Sequence, residues 1–574
     1  MKKTILAASM LSVLSSTAFA ATYQLTELPR HQNSKNTFIS DVNEAGDVIG
    51  AASYLFDIPI DVSYIDFEDS LITSSYDRYV DGLDIIGEKP SFTLDDIKNG
   101  AAVTNSDAKG FMVSFLSGQD GNAEYQKLSD RITLNLTATS ADEFILFDTV
   151  TDFSASYSRS VSNYPTSITE DGVIAGWGSA PYRKEVFIKE GEDDTTYFVR
   201  DWPSRGLVIS PNGEKTILEP EIDTYGGTSM VTDIIKMDNG NYVAVGSSSV
   251  SIPVNRQENY DDNCDGVDEP ENVCAWRYLR GSFYNTEAYQ WELDANYNVL
   301  AKTKLGLGII RQDDEKDAFG SVAMAVNKNG IAVGYSHARN KEDDGRYAYV
   351  QAGYFKDGQF TRIHEHETYS QGGKAIDIND NDILIGNYFE QYGNTVIEQS
   401  SFYYDVANKT YTTIPTFFSG SQTTVRDINN NGLIIGQAEI EKTTSVPKYE
   451  AFLYQIGAEK VININDLLPC KAADGSDFPY IIAEATKVTD SAEIYAIATK
   501  TVERRDRLGK VMKDSEGEIE YEAVAVPVLL TPDAGGTQEV CPPPEAEEYE
   551  RQSASFGFLS LLALPLMWFR RRKL

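Results

Sequence analysis

Histidine and cysteine are scarce: the 574-residue chain holds four of each. So few imidazoles form one cluster, His364 and His366, with no third metal ligand to name beside it. No Gly-rich phosphate loop, nucleophile elbow or zinc-protease helix is present either. Positive charge is also short. Fifty Lys and Arg face 87 Asp and Glu, a net charge of −37, and six of the cations sit at the extreme ends as Lys2, Lys3, Arg570, Arg571, Arg572 and Lys573. The segment between is therefore more acidic still. Such an excess repels phosphate backbones and anionic lipid, so no nucleic-acid partner is expected, and it fits solubility in salty surroundings or cation binding. Carboxylates are too numerous for any pair to stand out as a glycosidase dyad, whose mark is a separation that sequence does not give. Aromatic residues are not lacking: 33 Tyr, and Phe, Trp and Tyr together at 11%, exclude disorder for the bulk of the chain.

Long apolar runs occur only at the two ends. Met1 to Ala20 has a basic start, an apolar run from Ile5 to Leu14 and small residues at Ala18 and Ala20, which reads as a secretory signal. At the other end, residues 553–569 are uncharged and precede the basic tail 570–574. With Gln552 they would span roughly 27 Å as a helix, marginal against a hydrocarbon core of about 30 Å. The basic cluster keeps the tail cytoplasmic and places everything before it outside, in the cell envelope on the periplasmic or extracellular side. Residues 532–552, with a Pro run and an acidic cluster, read as a flexible stalk. The mature domain is then 21–531.

Within that domain one sentence recurs. DVNEAGDVIG ends at Gly50, SITEDGVIAG at Gly176, AVNKNGIAVG at Gly334, DINDNDILIG at Gly386 and DINNNGLIIG at Gly436, each a strand, a tight polar turn and a second strand. The intervals are 126, 158, 52 and 50 residues. The two long ones accommodate degenerate copies: AAVTNSDAKGFMVS ending at Ser114 and DIIKMDNGNYVAVG ending at Gly246, with KVTDSAEIYAIA ending at Ala498 beyond the last. A second hairpin follows several copies, at Ser401, Gly353 and Ala451. Four short antiparallel strands per unit are the habit of a propeller blade, so the expectation is an all-β ring of seven or eight blades, with two packed β-sandwiches as the alternative. The lone strand Thr22 to Leu28 and the strand Ala523 to Leu530 lie at opposite ends of the repeats. Pairing them within the last blade would close the ring and hide its edges.

The units resemble those of HAF-repeat extracellular proteins, with an I-N-x-x-G-x-V-x-G hairpin and a His-Ala-Phe-Leu-Trp strand. Here Glu450, Ala451, Phe452, Leu453 and Tyr454 occupy the second signature. The chain as a whole resembles an uncharacterised, domain-of-unknown-function family of exported proteins from marine gammaproteobacteria. Its end resembles C-terminal sorting signals of the Gly-Gly type, which implies an intramembrane sorting protease as a partner. Ser553, Ala554 and Ser555 stand where the paired glycines would be. The resemblance implies repeats and export, with no particular activity.

Residues 255–285 read as an inserted acidic loop, in which Cys264 and Cys274 enclose nine residues and invite a disulfide. Cys470 and Cys541 would form the second, tying the last blade to the start of the stalk. Asp261, Asn263 and Asp265 alternate before Gly266 in the manner of a calcium loop, with Asp268 and Glu269 as further oxygen donors. Asn272 stands where an EF-hand needs Glu, so the segment reads either as a Ca²⁺ site or as a solvated acidic loop. His364 and His366 would share a face of a strand, but no third ligand accompanies them. The expected function is a non-catalytic, envelope-tethered binding or scaffolding module for a glycan, peptide or protein. The alternatives are a carbohydrate-active hydrolase or lyase using carboxylates in the central funnel, and a calcium-dependent adhesin.

Overall fold

In each repeat, β-branched residues alternate on both sides of a polar turn, which makes a hairpin whose apolar faces must find partners on both sides. A computed structural model shows how they do. It describes residues 22–541 apart from 152, 155, 189–193, 280–282, 312–315, 340–347, 364–371, 393–395 and 443–445. The segments read as signal, apolar anchor and basic tail, and the His364–His366 cluster, lie outside the described residues. No described helix is long and apolar enough to cross a membrane.

The described residues form seven four-stranded antiparallel sheets and one separate hairpin. The innermost strands are Ser34–Val42, Asn163–Ile168, Ser229–Lys236, Ser321–Val326, Gly373–Ile378, Thr423–Ile428 and Ile481–Val488, in blades 1 to 7. Each contacts the next, and the seventh returns to the first. That cyclic contact makes a propeller and removes the two-sandwich alternative. Blade 7 consists of Ile481–Val488, Ile494–Glu503, Tyr521–Asp533 and, outermost, Thr22–Glu27, whose Leu25 faces Leu530. The chain's first described strand thus completes its last blade. Tyr23, 3% exposed, packs there among Val526, Val528 and Leu530, and burial pushes its phenol up to about 12. Pro532 and Asp533, placed in the stalk on sequence grounds, still belong to this blade.

The terminal glycine of the repeat has a steric cause. In every blade the innermost strand carries a β-bulge just before the turn, as between Val231 and Asp233 and between Val425 and Asp427. Opposite the bulge the backbone carbonyls crowd in: a Cβ on Gly246 would sit 1.9 Å from the Met230 oxygen. In blade 7 the residue paired at that register is Ala496, two places before the end of the sequence copy.

Seven rather than eight blades form because the copy ending at Ser114 is helical. Blade 1 is interrupted after its second strand by α1 (Ser70–Ile86), α2 (Leu94–Lys98), α3 (Ala101–Thr104) and α4 (Ser106–Gly118). Asp69, Thr93 and Asn105 cap the starts of α1, α2 and α4 with side-chain oxygens, and Gly87 ends α1 in a left-handed conformation. Asn105, read as a hairpin turn, is therefore a helix cap. The helices bury a core of their own around Ile72, Phe92, Ile97, Phe111, Met112 and Phe115.

Candidate functional site: the channel mouth and the insertion face

A propeller offers two faces, and the turns of the repeat hairpins gather at one of them. Following each bulge, Asp41, Ser167, Asp233, Asp377, Asp427 and Lys487 of blades 1, 2, 3, 5, 6 and 7 line a cavity of about 380 Å³, while Ala325 of blade 4 is buried in the core. The four carboxylates join neighbouring blades. Asp41 accepts from the Ile168 N–H at 2.8 Å, Asp233 from Val326 at 2.9 Å, Asp377 from Ile428 at 3.1 Å and Asp427 from Val488 at 2.7 Å. Lys487 lies 2.7 Å from Asp427 and 3.3 Å from Asp41. Burial raises the Asp427 carboxyl well above the usual carboxylate range, and it pushes Asp233 up to about 6 despite the Ser167 hydroxyl and the Val326 N–H. Burial alone would lower the Lys487 ammonium, but the carboxylates of Asp41, Asp427 and Asp377 hold it well above its ordinary range.

A second ring lies just outside. The repeat asparagine accepts from the N–H four residues on in its own turn and donates its amide to the next blade. Asn327 reaches the carbonyl of Asn379, Asn379 that of Asn429, Asn429 that of Thr489, and Asn43 that of Thr169, at 2.9–3.0 Å. Beyond it, Glu44 accepts from the Asp490 N–H and Glu170 from the Glu44 N–H. These acidic and amide groups, the natural place to look for catalytic carboxylates, are committed to holding blades together.

The opposite face is built by insertions. All leave from the connection between the second and third strands of a blade, and those of blades 7, 1, 2 and 3 pack on one another in that order. The blade 7 extension, residues 504–520, is folded by bridges Arg505 to Val511 and Lys513 to Ile519. Its Arg507 N–H donates to Ser106 Oγ at the start of α4 (2.9 Å), and its carbonyl accepts from Asp57 (2.8 Å). Blade 1 then meets the blade 2 hairpin Tyr182–Phe187 and Thr195–Arg200: Lys184 pairs with Asp61 at 3.2 Å, and the Phe198 N–H donates to the Ala123 carbonyl. That hairpin meets the blade 3 insertion through Asn272 and Glu185, 2.6 Å apart, and through Val199 and Val273.

The blade 3 insertion is the acidic loop of the sequence, folded as α5 (Val254–Cys264) and α6 (Glu271–Tyr278). Cys264 and Cys274 are bonded, with Cα atoms 5.7 Å apart, and Cys470 is bonded to Cys541 at 5.3 Å. The proposed calcium donors are dispersed. Asp261 and Asn263 are on the helix α5, where Asp261 accepts from Gln257 and Asn263 donates to Asn259. Glu269 is paired with Arg277 at 2.5 Å, and Asp265 and Asp268 follow the helix. Among the described residues no three His, Cys, Asp or Glu side chains are grouped so as to hold a metal ion. Asp261 and Asn263, two residues apart on a helix, do not share a face as they would on an extended strand.

One charged feature was missed in sequence. Residues 504–513 hold five cations, Arg504, Arg505, Arg507, Lys510 and Lys513, and one acid. In a chain this acidic, that local reversal is the signal that would have found it.

The solved structures to which the chain is similar include a protein of unknown function from Dyadobacter fermentans DSM 18053, at 9% identity over 89% of this chain and 99% of that one (TM-score 0.31). Another is the β-propeller domain of the Trilobed protease from Pyrococcus furiosus, at 9% identity over 63% and 95% (TM-score 0.28). A third is the Hadza microbial sialidase Hz136, at 9% identity over 69% and 73% (TM-score 0.31). Scores this low carry no inference about chemistry. No curated protein matches the sequence. Residues 1–572 match the proteins of unknown function grouped as DUF3466, and the chain belongs to that family.

Proposed function

We propose that this protein is an envelope-tethered, non-catalytic binding module that presents the insertion face of its propeller to a glycan, peptide or protein. The observation that carries the reading is the merger of four insertions, from blades 7, 1, 2 and 3, into one continuous platform on a single face. Insertions that pack on each other enlarge one surface, and connections held on a rigid scaffold are where binding residues concentrate. The funnel carboxylates Asp41, Asp233, Asp377 and Asp427 already accept backbone N–H groups across blade boundaries, which speaks against their use as a hydrolytic pair. Export and tethering rest on the signal-like start and the apolar run 553–569.

The test is a binding screen of the full chain against immobilised glycans and peptides, with and without Ca²⁺, while new reducing ends and released fragments are assayed in the same wells. Saturable binding without product is the expected result. Catalytic turnover of a bound glycan would replace this reading with the hydrolase or lyase, and binding that appears only with Ca²⁺ would replace it with the adhesin.

A further inference from the structure

The platform contains a cleft of unusual sign. Between the blade 7 extension and blade 1 lie two adjoining cavities, of about 620 and 220 Å³, that share Lys35, Arg505 and Glu522. The larger is lined by Lys35, Arg504, Arg505, Arg507 and Lys513 against Asp107, Asp506 and Glu522, so it is locally cationic in a chain of net charge −37. Some of this charge is spent internally: Lys35 pairs with Glu522 at 2.6 Å and Arg504 with Glu520 at 2.7 Å. Arg505, Arg507 and Lys513 have no carboxylate within 4 Å among the described residues.

The wall is also strained and imperfectly satisfied. The Arg507 guanidinium stacks 3.5 Å from the centre of the Tyr54 ring, and its Nη1 is buried with no hydrogen-bond partner among the described residues. In the smaller cavity His31 Nδ1 is likewise buried without a partner. Tyr54 and Asp57 both adopt left-handed backbone conformations, φ 59° and 51°, which non-glycine residues avoid unless the surroundings impose them. Here Lys109, 2.8 Å from Asp57, and the Arg507 carbonyl bonded to the Asp57 N–H hold the segment in place.

We propose that this cleft binds an acidic oligosaccharide, its carboxylate or sulfate groups held by Arg505, Arg507 and Lys513. The proposal rests on the binding-module reading and names its ligand class. Cations alone would suit any anion, but the cleft also offers acceptors at Asp107 and Asp506 and the half-buried ring of Tyr79, which suit a hydroxylated ring. A densely charged polymer such as a nucleic acid would meet the acidic surface around the cleft within a Debye length, about 8 Å at physiological salt. A chain that is mostly hydroxyl, with spaced acid groups, escapes that repulsion.

The experiment is titration calorimetry of the full chain with three tetrasaccharides, one built of uronic acids, one sulfated and one neutral, and with a single-stranded oligonucleotide of similar charge. Binding of the uronate or the sulfated probe, weakened by salt and absent for the neutral one, is expected. Arg505→Gln and Lys513→Gln, which leave Arg507 stacked on Tyr54, should each weaken it at least tenfold with the melting temperature unchanged. The uronate and sulfate arms decide between the two acid groups. Equal binding of the oligonucleotide, binding indifferent to both substitutions, or no binding of either acidic probe would overturn the cleft assignment. In the last two cases the binding-module reading stands if the screen still finds a ligand.

Discussion

The amide that joins blade 5 to blade 6 allows the holding of the ring to be measured one bond at a time. Asn379 Oδ1 accepts from the Ile383 N–H at 3.0 Å within its own hairpin, and Nδ2 donates to the Asn429 carbonyl at 3.0 Å in the next blade. Thr169 and Thr489 occupy the same position in blades 2 and 7, and their hydroxyls keep the turn bond, to Val173 at 3.0 Å and Glu493 at 3.1 Å. Asn379→Thr should therefore remove the link between blades and little else. The Asn429 carbonyl keeps the Gly432 N–H at 3.1 Å, so the loss is one hydrogen bond, about 0.5–1.5 kcal/mol, whereas Asn379→Ala loses the turn bond too, about 1 kcal/mol more. With an unfolding entropy of about 2.1 cal/mol/K per residue over roughly 500 residues, each kcal/mol lowers the melting temperature by about 1 °C. Differential scanning calorimetry should then rank the proteins wild type, Thr, Ala. A Thr variant that melts with the wild type would show that the link contributes nothing, and one that melts with the Ala variant would show that the turn bond does not.

Deleting residues 22–27 should cost at least the about 3–5 kcal/mol of losing one buried aromatic, Tyr23, and should open the edge of blade 7; limited proteolysis should then begin between Ala485 and Leu530, and an unchanged cleavage pattern would refute closure by this strand. Cys470→Ser with Cys541→Ser releases a link across a sequence separation of 71, for which loop entropy gives about 4 kcal/mol; an unchanged melting temperature would count against it. Burial works to raise the Asp171 carboxyl, but Lys236, Tyr242 and Thr169 hold it down at about 2. Because the folded value lies below the ordinary one, the stabilisation is present above about pH 4 and is lost as pH falls through about 2. Its side chain is 35% exposed, so solvent screening reduces the benefit to about 1 kcal/mol. Asp171→Asn should accordingly lower the melting temperature at pH 7 and leave it unchanged near pH 2; an equal fall at both would mean that charge is not the cause.

Much of the ring is legible in the chain because a hairpin is a local object. The polar turn, the flanking β-branched residues and the glycine opposite the bulge all lie within a dozen residues, so DINDNDILIG and DINNNGLIIG announce their strands directly. The closing strand was legible for a related reason: Tyr23 and Leu25 alternate with polar residues beside no repeat of their own, and the final unit shows no fourth strand after Leu530; the two pair in blade 7. Both cysteine pairings followed from there being so few thiols. The copy at Ser114 misled because Asn serves a hairpin turn and a helix cap equally well, and the choice is made by whether the next apolar residues recur every second or every third to fourth position. Its neighbours Ala108, Phe111, Met112 and Phe115 follow the helical spacing.

What the sequence determined by itself is the unit and its repetition, since a hairpin with two apolar faces is stable only when stacked. Only the tertiary structure decided what the charges do. In the sequence Asp41, Asp233, Asp377 and Asp427 are four carboxylates among 87 acidic residues; the ring brings each beside the neighbouring blade's N–H, where it becomes a tie. The cleft lies further still from sequence: Arg507 meets Ser106 across 401 residues, and Tyr54 with it. Ring closure brings blade 7 against blade 1, so groups from the two ends of the chain share one surface, and no local pattern records a meeting that depends on the whole ring having closed.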